Sequence, residues 1–210
     1  VKASAFVREM IEREEWVPRT KRCGWDETRQ LYFAYLDYKK IPTFGVGHKI
    51  ERGDDFSEGR TEAEVYDLFA RDVARFEDAI AQHVTVPLEQ HEYDALICFA
   101  YNCGPESLRP GFHEDKRNTA IWYLNLGRKD LVPQYLLAWD KVDGVQDKVL
   151  HARRAREGKL FVTPYSAPAE GAEDSWQEEA MRAFSLASDL RALVDDDGRE
   201  LREYPEIYNS

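Results

Sequence analysis

The sequence predicts an α+β fold that is predominantly helical, with a small hairpin sheet near the N-terminus followed by a larger helical body. Three observations carry that prediction. Apolar residues recur at helical spacing over residues 3–16 and again from Thr61 to Val84. Between them, residues 32–50 break into short runs punctuated by Pro42, Gly45 and Gly47, the pattern of hairpins. Downstream, segments 88–101, 118–126, 129–140 and 147–161 have helical character, with Pro87, Gly104-Pro105 and Gly127 as breaks.

Each element has a local reason. Phe6, Val7, Met10 and Ile11 form the apolar stripe of the first helix, which Pro18 ends by disfavouring α backbone before it. Residues 19–32 show neither period and read as a loop carrying Arg19, Lys21, Arg22 and Arg29. Thr61 and Glu64 fit a capping box that opens the next helix, whose buried stripe is Val65, Leu68, Phe69, Val73, Phe76 and Ile80. Residues 88–101 are apolar enough to be the central buried helix. The stretch PYSAPAEG from Pro164 to Gly171 is a linker by composition, and Ser175 with Glu178 caps one further helix. The expected organisation is a catalytic domain over 1–164 and an acidic extension over 165–210.

Composition narrows the function. At 43% hydrophobic residues, 210 residues can bury a real core. The net charge of -11 argues against a nucleic-acid partner, whose binders carry a basic footprint. Of that charge, -8 belongs to residues 165–210 and only -3 to the rest. No apolar run approaches the ~20 residues needed to cross a bilayer, so no membrane insertion is expected. No signal peptide is visible in the chain. Cys23, Cys98 and Cys103 are odd in number and lack a CxxC. The five His show no ligand spacing, so no metal and no cofactor are expected. Cys98 and Cys103 read as buried thiols, with a bridge to Cys23 left open.

The chemistry concentrates in Tyr35–His48, YLDYKKIPTFGVGH, where Asp37 and Thr43 flank a Pro-containing turn. A second carboxyl comes from the first helix. At about 100° per residue, Glu14 falls near the centre of the apolar face while Glu15 lies roughly a third of a turn away. A desolvated carboxyl favours its protonated form, the state a general acid needs. Two carboxyls in unlike environments are what glycoside cleavage requires, one to protonate the leaving oxygen and one to activate water or attack the sugar. The Thr43 hydroxyl is suited to hold that water.

These residues resemble the lysozymes of tailed bacteriophages, in four blocks spread over about residues 6–161. Glu14-Glu15-Trp16-Val17-Pro18 looks like the family's EGxVP variant, and Tyr35 to His48 is similar to its YxDxxGxxTxGxGH hairpin. LEQHEYDALICFAYNCG (88–104) resembles its central helix, and LNLG (124–127) with LHARRAREGKLF (150–161) its closing segments. The resemblance implies a lysozyme-like two-lobed fold and a muramidase cleaving the β-1,4 bond between N-acetylmuramic acid and N-acetylglucosamine. It implies Glu14, Asp37 and Thr43 as catalytic, with inversion and Asp37 as base. Gly45, His48, Asn102, Arg153 and Arg154 would be substrate-binding or supporting. Peptidoglycan is the implied partner and the bacterial cell wall the site of action. Delivery would be by holin, phage tail, secretion system or a missing N-terminal part. A larger delivery assembly, or an immunity or inhibitor protein, is compatible as a further partner. A lytic transglycosylase and a catalytically silent wall-binding module are the alternatives.

The sequence departs from the family in three places. Glu14 and Asp37 are 23 residues apart, which implies an insertion of about 14 residues at 19–32. Glu15 replaces the Gly after the acid and becomes the candidate acid itself if the insertion is one residue shorter. Lys40 stands where the hairpin has Gly, so a different turn is expected.

Overall fold

The structure is a computed structural model that describes residues 1–16, 18–37, 39–111 and 119–165. These residues belong to one compact unit, Val1–Tyr165. The expected capping box at Ser175 and Glu178, and the rest of the acidic extension, lie outside the described residues.

Helix α1 (Ala5–Glu15) buries Phe6, Val7, Met10 and Ile11, the stripe its spacing predicts. Its N-cap Ser4 accepts from Val7 N–H while donating its hydroxyl to Asp94 Oδ2 at 2.6 Å. One step earlier, Ala3 N–H donates to Glu77 Oε1 at 2.7 Å. Acids from two later helices therefore hold the start of α1, and Asp94 also accepts from the Ser4 amide, which helix geometry leaves without a partner.

The polypeptide then makes the first departure from expectation. Residues 19–32 are not an irregular loop: β1 (Trp25–Asp26) and β2 (Leu31–Tyr32) pair antiparallel after a 3-10 turn at Lys21–Cys23. Asp26 closes the turn by accepting from the amides of Thr28 and Arg29. Strands of two residues are too short to show a period, which is why the pattern hid them. The hairpin is held by aromatic contact: Tyr32 is fully buried, with ring centroids 4.7 Å from Trp25 and 5.2 Å from Trp16.

The expected sheet follows as β3 (Tyr35–Leu36), β4 (Pro42–Phe44) and β5 (His48–Lys49), antiparallel in that order. Lys40 adopts φ +64°, the left-handed conformation that a glycine would take at lower cost, so the expected change of turn is not needed to accommodate it.

Helix α2 (Glu62–His83) opens with the predicted capping box of Thr61 and Glu64. Helix α3 (Gln90–Cys103) is central and carries a second capping box, Glu89 with Glu92. Around it pack α1, α2 and α6 (Lys148–Val162). The shorter α4 (Thr119–Asn125) and α5 (Val132–Leu136) pack on each other. A small hairpin, β6 (Lys141–Val142) with β7 (Val145–Gln146), precedes α6. All three cysteines are free thiols, with Cys23 and Cys98 buried. Among the described residues no helix is long and apolar enough to cross a membrane.

Candidate active site

The end of α1 organises the site. The helix presents two consecutive acids and stops where Trp16 turns to extended backbone at φ -142°. Neighbouring helical residues leave the axis about 100° apart, so Glu14 and Glu15 share Arg153 but differ in their other neighbours. Glu14 reaches α6: its Oε2 lies 3.0 Å from Arg153 Nε, and its Oε1 accepts from Arg156 Nη2 at 2.8 Å. Glu15 turns toward the hairpin, where a Cβ added to Gly47 would stand 3.3 Å from Glu15 Oε2. Its other oxygen is 2.6 Å from Arg153 Nη1. Glu15 is the more accessible, with 21% of its side chain exposed against 13% for Glu14.

Gly47 suits its place on two counts: it has φ +70°, and a side chain there would press on Glu15.

Asp37 sits at the β3–β4 turn and accepts through Oδ1 from the amides of Lys39 and Ile41, both at 2.8 Å. Tyr35 is the strand partner of Thr43. Alternation along a strand then puts Asp37, two residues beyond Tyr35, on the same face as Thr43. The Thr43 hydroxyl donates to Ile41 O at 3.0 Å, fixing its rotamer.

Tyr35 and Tyr101 are site residues that sequence reasoning missed. The Tyr35 hydroxyl donates to Gly45 O at 3.0 Å. Burial pushes that hydroxyl upward, and the charges of Cys23, Glu15 and Asp37 push the same way. Tyr35 therefore stands within electrostatic reach of Glu15 and Asp37. Tyr101, on α3, donates to Val46 O at 2.5 Å and so joins the central helix to the hairpin. Both tyrosines lie in the recognised blocks, but nothing in their spacing marks them out.

Behind the acids lies a buried ionic cluster. Arg153 Nε is 3.5 Å from Glu157 Oε1, and the fully buried Arg154 holds the same oxygen at 2.7 Å. Arg154 also donates to Asn102 Oδ1 at 3.1 Å and lies over the Phe99 ring. Burial pushes the Glu157 carboxyl up to about 6, against the opposing pull of Arg154 and Arg153. Arg153 thus touches the candidate acids, whereas Arg154 and Asn102 build the core beneath them.

His48 is also a supporting residue. Its Nδ1 lies 2.8 Å from Asp72 Oδ2 and its Nε2 lies 3.2 Å from Asp54 Oδ2. Gly45 has φ +52° and faces Val65 of α2, where an added Cβ would come within 2.9 Å of Cγ1.

Residues 30–157 match the family model described as phage lysozyme. The chain belongs to the phage lysozyme family. Its glycoside hydrolase class and its lysozyme-like α+β fold, both expected from the sequence blocks, are borne out. The lysozyme is 34% identical over 134 residues to the endolysin of Salmonella phage P22, covering 62% of this chain and 86% of that one. A solved mutant of P22 lysozyme matches at TM-score 0.55 and 30% identity, over 78% of this chain and 99% of that chain. The muramidase domain of SpmX from Asticaccaulis excentricus matches at TM-score 0.56 and 25% identity, again over 78% and 99%. The family match begins downstream of Glu14 and Glu15, so the choice between those acids falls to their geometry.

Proposed function

We propose that this lysozyme hydrolyses the β-1,4 bond between N-acetylmuramic acid and N-acetylglucosamine in bacterial peptidoglycan. In this reading Glu15, rather than Glu14, is the general acid, and Asp37 with Thr43 activates water. The single observation that carries it is the side on which Glu15 lies: a Cβ added to Gly47 of the hairpin would stand 3.3 Å from its Oε2, and although both acids pair with Arg153, only Glu14 is also held by Arg156. The sequence pattern favoured Glu14 because that residue points along the apolar face. The same face leads to Arg153 and Arg156 of α6, of which Glu15 meets Arg153 alone.

The chemistry then runs as follows. Glu15 protonates the glycosidic oxygen as the bond breaks toward an oxocarbenium-like transition state. Asp37, oriented by the amides of Lys39 and Ile41, takes a proton from water, and Thr43 holds that water in line. Names of the relatives, endolysin and muramidase, support the bacterial cell wall as the place of action.

Digestion of purified peptidoglycan with mass spectrometry of the products tests the reading. Muropeptides with reducing N-acetylmuramic acid ends are expected. Products with 1,6-anhydro ends would make the enzyme a lytic transglycosylase, and a protein that sediments with the wall but releases nothing would be a binding module. Glu15→Gln should lose about 10²- to 10⁴-fold in rate and still sediment with peptidoglycan. A silent Glu15→Gln would return the acid role to Glu14.

A further inference from the structure

The sheet that carries Asp37 and Thr43 also carries a cation that the reaction above does not use. Lys49, on β5, is the strand partner of Thr43, as Thr43 is of Tyr35. Residues directly opposite each other in antiparallel strands project from one face of the sheet. Lys49, Thr43 and Tyr35 therefore form a row across three strands, and Asp37 stands on the same face. On the other face Phe44 and His48 are buried, and His48 meets Asp72 of α2. Lys49 is exposed, and no acid among the described residues lies within ion-pair distance of it.

The charge around Lys49 is mostly of its own sign. Residues 18–50 hold seven Lys and Arg against three Asp and Glu, a balance of +4 inside a chain of -11. Those three acids are engaged locally. Asp26 accepts from the amides of Thr28 and Arg29, Glu27 from Trp25 Nε1, and Asp37 from the amides of Lys39 and Ile41.

The substrate supplies the complementary charge. The sugar rings on either side of the scissile bond are neutral, but N-acetylmuramic acid bears a lactyl group on which the wall peptide is built, and that peptide holds free carboxylates. We propose that Lys49 is a substrate-binding residue for one of those carboxylates, so that the enzyme selects peptide-bearing wall glycan over uncharged glycan. This rests on the reading of the Asp37–Thr43 face as the catalytic one. A sugar set against Asp37 and Thr43 lies beside Lys49, whose flexible four-carbon stem lets the ammonium follow a peptide that is itself mobile. A charge at the rim of a site acts mainly through capture and through its salt dependence.

The test uses insoluble peptidoglycan stripped of phosphate polymers, either native or with its peptide carboxylates capped as neutral amides. Sedimentation of the full chain carrying Glu15→Gln measures affinity, and product release by the chain with Glu15 intact measures rate. The native wall should be bound about three- to tenfold more tightly than the capped wall at about 50 mM salt, and the preference should fade by about 500 mM. Lys49→Gln should remove the preference and Lys49→Arg should restore it, with the change on native wall in KM rather than kcat. Lys159→Gln, an equal change of charge at an exposed position on α6, should keep it. Equal affinity for native and capped walls before Lys49 is changed overturns the proposal. So does a preference that survives Lys49→Gln or is lost equally in Lys159→Gln. A Lys49→Gln chain that loses kcat alike on both walls also overturns it, and would make the lysine a partner of Asp37 instead. No product release with Glu15 intact would overturn the hydrolase reading alone, because sedimentation still decides the role of Lys49.

Discussion

His48 and Asp72 join the sheet to helix α2 through one contact of 2.8 Å between Nδ1 and Oδ2. Both side chains are buried, and Asp54 approaches the other ring nitrogen. This pair seats β5 on α2 directly after Gly47, so it steadies the turn against which Glu15 rests.

The pair makes stability depend on pH. The His48 imidazole is raised above its ordinary value, first by its hydrogen bond to Asp72, against the cost of burial. A raised folded value means the stabilisation is fully present below the unfolded value near 6.5 and is lost as pH climbs through the folded value. Asp72→Asn should therefore cost about 1–3 kcal/mol at about pH 6, and less at about pH 9. Urea melts at the two pH values check it, and an equal loss at both would count against the ion pair.

Gly47→Ala should damage activity more than stability. The added Cβ would stand 3.3 Å from Glu15 Oε2 and 3.4 Å from Glu15 Cβ, so the Glu15 side chain must give by a few tenths of an ångström. A misplacement of about 1 Å can cost about a hundredfold in rate, so this smaller shift should cost about tenfold or less. The left-handed backbone adds about 1 kcal/mol of strain. A fall in melting temperature with unchanged turnover would exclude the contact from the catalytic geometry.

Lys40→Gly should stabilise the chain by about 0.5–1 kcal/mol, because φ +64° suits glycine better than lysine. Turnover should hold within about twofold, since the Lys39 and Ile41 amides that bind Asp37 are unchanged. Denaturant melts and initial rates check both halves. Lost activity would assign the Lys40 side chain a role in substrate binding.

Much of this was readable before any coordinates. The apolar stripe of α1, the capping box of Thr61 and Glu64, and the break at Gly104-Pro105 are local signals that tertiary packing did not override. The Asp37–Thr43 hairpin was legible because alternation, a turn and two glycines fall within fourteen residues. The hairpin at 19–32 was not, because its stability comes from Tyr32 packed between Trp16 and Trp25, a contact made across the chain. Tyr35, Tyr101 and Arg156 were missed for the same reason: their roles come from what they touch in space.

The order of helices, the small sheet, the paired arginines and the family blocks were determined by the sequence alone, because each is written in neighbours close along the chain. The direction each acid takes from the end of α1 was decided only by the tertiary structure. Periodicity says which face of a helix is apolar, and Glu14 does lie on that face, but it does not say that the face leads to Arg153 and Arg156. One residue further, a rotation of about 100° carries Glu15 toward Gly47, with Arg153 still within reach and Arg156 not among its ion pairs. Which of two neighbouring acids faces the hairpin is set by the elements that pack against that last turn.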